Sequence, residues 1–102
     1  DGIATRVPQT EALDMMLKSV TDIVEVSDSD IEAAIRLYLR TTHNLAEGAG
    51  AAPLAALLAN AKAFKGKSIG LVLCGGNLDT AVLARVLSDE HPKLAREIPK
   101  TH

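Results

Sequence analysis

Residues 45–61 read LAEGAGAAPLAALLANA, and this stretch leaves the fold little choice. Gly48 and Gly50 interrupt regular structure, and Pro53 suits the first turn of a helix, where its missing N–H costs nothing. The helix expected over 52–62 is rich in Ala and Leu and has almost no polar face. A helix apolar on all sides belongs in an interior. Other parts of the protein must therefore surround it. The 102 residues available make one domain, with little margin between surface and volume.

The remaining elements follow from pattern. Residues 1–10 (DGIATRVPQT) show no periodicity and read as an arm stiffened by Pro8. Thr10 can cap a helix over 11–18 with Leu13, Met16 and Leu17 on one face. DIVEV (22–26) is a β-branched run and predicts a strand. Ser27 with Asp30 three residues on is close to a capping box, and Asp28, Asp30 and Glu32 suit the positive end of a helix dipole. Ile31, Ala34, Ile35, Tyr38 and Leu39 recur at helical spacing, with Arg36 and Arg40 on another side. Lys65-Gly66-Lys67 predicts a turn, and SIGLVL (68–73) a strand buried on both faces. After Cys74-Gly75-Gly76, Asn77 or Asp79 can cap a helix carrying Leu78, Val82, Leu83, Val86 and Leu87.

The order is helix, strand, helix, helix, strand, helix. Strands separated by helices predict an α/β layered fold, with two parallel strands near 22–26 and 67–73 flanked by about four helices. Two strands make a marginal sheet, so residues 1–88 read as part of a larger domain. Residues 89–102 form a polar tail with two prolines, expected to be a short helix or disordered.

Composition narrows the function. Aromatic side chains are confined to Phe64 and Tyr38, so the core is aliphatic, and the net charge of −2 includes no basic run. No nucleic-acid partner is expected, because the chain has neither a basic footprint nor aromatics for base stacking. The single cysteine forms no internal disulfide and no two-cysteine metal set, which fits a reducing cytoplasm. No run of about 18 apolar residues predicts a membrane span.

VLCGGNLD (72–79) is the stretch with chemical promise. A strand, a glycine turn and a helix N-terminus make a generic anion site. The dinucleotide fingerprint needs three spaced glycines, and only the adjacent pair Gly75 and Gly76 is here. Gly66-Lys67-Ser68 precedes the strand, whereas a phosphate loop would follow it. Thr80 stands where a cysteine phosphatase needs arginine. The plain alternative is a tight turn, with Cys74 as a small buried hydrophobe; the other is a ligand contact at the end of a strand. Glu47 is anomalous among Ala and Gly. It either caps a helix or pairs within a site whose glycines admit a flat ligand. His43 satisfies the carbonyls that end a helix. No set of nucleophile, base and orienting group assembles from spacing, and no metal site does.

Taken together, DGIATRVP, DIVEVSDSDIEAAIRLYLRTTHNLAEGAGAAPLAAL and KGKSIGLVLCGGNLD resemble the C-terminal portion of threonine/serine dehydratases. These are pyridoxal-phosphate lyases of the tryptophan-synthase-β fold type (fold type II), related to serine racemase. The likeness runs from Asp1 to about Leu87. It implies that Cys74 meets the pyridine nitrogen of pyridoxal 5′-phosphate, at a position usually held by Ser. Glu47, Gly48 and Gly50 would lie beside the ring, while Gly75, Gly76 and Asn77 shape the turn. A neutral thiol does not hold a proton on that nitrogen as a carboxylate would. The ring is then a weaker electron sink, which favours loss of a β-hydroxyl over transamination.

The family's Schiff-base lysine, its Ser-x-Gly-Asn loop and its glycine-rich phosphate loop match no stretch here. The resemblance therefore implies a piece of an enzyme that converts L-threonine to 2-oxobutanoate, or L-serine to pyruvate, with release of ammonia. That piece is expected to be inactive alone. Exposed strand edges also predict a homo-oligomer, by strand exchange between copies.

Overall fold

The structure is a computed structural model and describes residues 7–88. The expected tail (89–102) and the first part of the N-terminal arm (1–6) lie outside the described residues. Four α-helices follow in order: α1 (Thr10–Ser19), α2 (Asp28–Thr42), α3 (Gly48–Ala59) and α4 (Thr80–Ser88), with a short 3-10 turn over Ala61–Phe64.

The α/β expectation is overturned. Among the described residues there is no strand and no sheet, and the architecture is helical. Residues 22–26 and 68–73 carry no ladder. A β-branched run biases its own backbone, but a strand exists only when a second strand receives its hydrogen bonds. These two runs do not supply each other. Ile23 and Val72 are instead among the most exposed side chains of the chain, at 72% and 71%.

α2 is closed at both ends. Ser27 takes the N-cap position in extended backbone, and its hydroxyl accepts from the Asp30 amide at 3.1 Å. Capping of this kind satisfies one of the donors that a helix start leaves open. At the other end His43 adopts the left-handed region, φ 57°, and its backbone N–H donates to Leu39 at 3.2 Å. The backbone of His43, with its side chain exposed, closes the helix. Thr10, by contrast, lies inside the first turn of α1. Gln9 is the N-cap residue there and makes no side-chain capping bond.

The apolar helix begins earlier than its sequence predicts. It starts at Gly48, so Gly48 and Gly50 are helical and Pro53 lies within the helix, past its first turn. Nor is it buried on all sides. Gly50, Ala51, Leu54 and Ala55 face inward, whereas Leu58 is exposed. The core joins Ile31, Ala34 and Ile35 of α2 to Ala46, then to Ala51, Leu54 and Ala55 of α3, and to Val86 of α4. So many alanines bring α2 and α3 close together. Leu71, Leu73 and Leu78 pack against the edge of this cluster, which brings the segment leading to Cys74 alongside α3. Lys67 donates to Phe64 at 3.1 Å across the expected turn, with Gly66 at φ 78°.

Candidate functional site

Two segments remote in sequence meet beside the N-terminus of α3. Glu47 occupies the N-cap position of that helix, but its side chain makes no capping bond. Its backbone N–H donates to the Gly75 carbonyl at 3.1 Å. Its carboxylate lies over Gly75, where a Cβ would strike Oε1. Gly75 also has φ 89°, a backbone conformation that a side chain disfavours.

The contact continues on both sides of that bond. A Cβ on Gly50 would sit 2.8 Å from the carbonyl oxygens of both Cys74 and Gly75, and one on Gly76 would sit 2.6 Å from the Leu45 carbonyl oxygen. Gly50 and Gly76 are therefore needed because two backbones touch. Gly48 is different: a Cβ there would meet Ile31 Cγ2 at an ordinary 3.7 Å. Beyond the contact, the Leu78 amide closes a small turn onto the Gly76 carbonyl at 2.9 Å, and Leu83 bonds the Asp79 carbonyl at 2.9 Å as α4 begins.

Of the residues singled out from the sequence, Glu47, Gly50, Cys74, Gly75 and Gly76 are brought together directly. Gly48 lies in the first turn of α3 and Asn77 follows the glycine turn, exposed. The Cys74 thiol is free and exposed. Lys18, Lys62, Lys65 and Lys67 are all exposed, on α1 and around the 3-10 turn. Among the described residues no group of three His, Cys, Asp or Glu side chains is placed to hold a metal ion, and no helix is long and apolar enough to cross a membrane.

Sequence reasoning missed one member of this region. The helical spacing places Arg36 only on another side of α2, with Arg40. Its Nη1 in fact donates to the Val86 carbonyl of α4 at 2.9 Å, while Glu32, one turn earlier, pairs with Arg85 at 2.6 Å. The spacing of Glu32 and Arg36 by four residues was the available signal, since it puts both on one face of the helix.

An L-threonine ammonia-lyase of Thermotoga maritima is 35% identical over 98 residues, which is 96% of this chain and 24% of that protein. One of Geobacter sulfurreducens is 39% identical over 88 residues, covering 85% of this chain and 22% of its own length. Phenylserine dehydratase of Ralstonia pickettii is 39% identical over 83 residues, 78% of this chain and 26% of the enzyme. The chain thus spans about a quarter of the length of these curated relatives. No solved structure gives a significant match. Residues 1–75 match the pyridoxal-phosphate dependent enzyme family, with the glycine turn at the end of the match, and the chain belongs to that family.

Proposed function

We propose that this chain forms one wall of the cofactor pocket of a pyridoxal-phosphate-dependent ammonia-lyase acting on 3-hydroxy amino acids, L-threonine foremost. In this reading Cys74 faces the pyridine nitrogen, Glu47, Gly48 and Gly50 lie beside the ring, and Gly75, Gly76 and Asn77 form the turn that presents Cys74. The observation that carries it is the backbone bond from Glu47 to Gly75, because it joins the two segments that the resemblance assigns to one ring. The residues fit such a group. Cys74 offers an exposed, free thiol directly after a packed apolar segment, and the Glu47 carboxylate is half-buried next to it over Gly75.

When bound, the cofactor supplies the electron sink for the pair left at Cα after proton removal. Cys74, held in place by the glycine turn, would face the ring nitrogen without the carboxylate that would fix a proton on it. The similar enzymes support the substrate class, since threonine and phenylserine both carry a hydroxyl on Cβ. A reducing cytoplasm suits the site, because the thiol must stay reduced.

The 102 residues alone are expected to turn over no amino acid, since no stretch of them matches the imine-forming lysine or the phosphate loop. The test is a chimera in which this chain replaces the matching segment of the Thermotoga maritima enzyme. Release of 2-oxobutanoate from L-threonine by the chimera, kept by Cys74→Ser and lost with Cys74→Leu, is expected. A folded chimera that binds the cofactor but is indifferent to Cys74→Leu overturns the assignment. Sustained 2-oxobutanoate release by the 102 residues alone overturns the inactivity.

A second reading rests on a different observation. Met15, Leu17, Ile23 and Val72 are each at least 70% exposed. Apolar surface of this extent favours self-association, so the isolated chain reads also as a non-catalytic homo-oligomeric module. Sedimentation at micromolar concentration is expected to show a dimer or larger species, and a compact monomer excludes it.

A further inference from the structure

The turn that presents Cys74 is fastened at two points. At its near end Gly75 accepts the Glu47 amide. At its far end α4 is held against α2 by a pair of side chains one turn apart. Arg36 Nη1 donates to the Val86 carbonyl at 2.9 Å, and Glu32 pairs with Arg85 at 2.6 Å. The Val86 carbonyl lies near the end of the described part of α4. A guanidinium donating to it gives that carbonyl a charged partner from another helix. The Val86 side chain beneath it is fully buried.

The described part of α4 is nine residues long, and a short helical segment relies on tertiary support. Those nine residues span only about 13 Å, so loosening α4 at Val86 is felt at its start. Arg36 uses one nitrogen of its fork on Val86. Its Nη2 is buried and has no partner among the described residues. The Val86 bond is thus the anchoring contact made by this guanidinium that the structure shows.

We propose that Arg36 is a positioning residue for Cys74: by holding α4 at Val86 on α2, it keeps the Cys74–Gly76 turn seated on Glu47 and Gly50. The functional meaning of this placement rests on the cofactor-wall reading, but the placement itself does not.

Native-state hydrogen exchange on the 102-residue chain tests it, because the Glu47 amide reports the seating directly. In Arg36→Met that amide is expected to exchange about tenfold faster, while the amides of Ile35 and Ala55 in the α2–α3 core change by less than about twofold. Arg36→Lys retains a donor for Val86, so its acceleration at Glu47 is expected to be smaller than that of Arg36→Met. Should Arg36→Met fail to fold, Glu32→Gln, which weakens only the more exposed fastening, is expected to accelerate Glu47 selectively by about twofold. An unchanged Glu47 amide, or equal acceleration at Glu47 and Ala55, overturns the proposal. No cofactor or substrate enters the measurement, so an inactive chimera leaves this proposal standing, and the converse also holds.

Discussion

The backbone amide of Glu47 donates to the carbonyl of Gly75 at 3.1 Å, across 28 positions of sequence. Neither residue predicts that bond from its own neighbourhood. Glu47 reads locally as a helix cap and Gly75 as half of a tight turn. In the folded chain the cap position is occupied without a side-chain bond, and the turn is used to receive another segment. The bond matters because it fixes the Cys74 backbone beside α3, where the Gly50 Cα comes close to two carbonyls.

Gly75→Ala meets two obstacles at once. The backbone at φ 89° disfavours a side chain, and the new methyl would strike the Glu47 carboxylate. The carboxylate is the far end of a flexible side chain and can swing away, so the conformational term dominates. A loss of about 1–2 kcal/mol is expected, read as a lower urea midpoint with unchanged slope.

Gly50→Ala and Gly48→Ala should differ in sign although both sit in the first turn of α3. Alanine favours a helix over glycine by about 1 kcal/mol. At Gly48 the new methyl makes an ordinary contact with Ile31 at 3.7 Å, so the chain is expected to become more stable by about 0.5–1 kcal/mol. At Gly50 the methyl lies 2.8 Å from two backbone oxygens that cannot rotate away. Gly50→Ala is therefore expected to lower the thermal midpoint and Gly48→Ala to raise it.

Ser27→Ala removes the hydroxyl that accepts from Asp30 at 3.1 Å at the start of α2. Because α2 carries much of the core, the loss is expected to reach the whole chain, at about 1 kcal/mol. Ser27→Asp restores an acceptor and should recover most of it. Parallel urea titrations of the three proteins decide the matter.

The helices were legible because their signals are local. Ser27, Asp30 and the spacing from Ile31 to Leu39 all lie within one element, and the structure follows them. The start of α3 was not legible: Gly48 and Gly50 resemble breakers until Cys74 and Gly75 are seen to occupy the space their missing Cβ atoms leave. The strands fail for the complementary reason. Residues 22–26 and 68–73 have the composition of strands, yet pairing is a property of two segments, and composition speaks for one. The candidate site was legible only in part. Its two segments could be named from the sequence, while Leu45 and Arg36 act through a backbone carbonyl and a long reach that no motif records.

Leu17 and Met15 lie on α1, a helix with no buried residue. They are 75% and 70% exposed, so neither supports the fold of the isolated chain. Substituting both with Glu is expected to change unfolding stability by no more than about 0.5 kcal/mol per site. Self-association should respond differently, because each Glu brings a charge to the surface that two copies would have to bury. If α1 is where copies meet, the double variant sediments as a monomer at concentrations where the parent chain does not. If both sediment alike as oligomers, the copies meet elsewhere, and the same substitution at Ile23 and Val72 tests the two unpaired segments in turn.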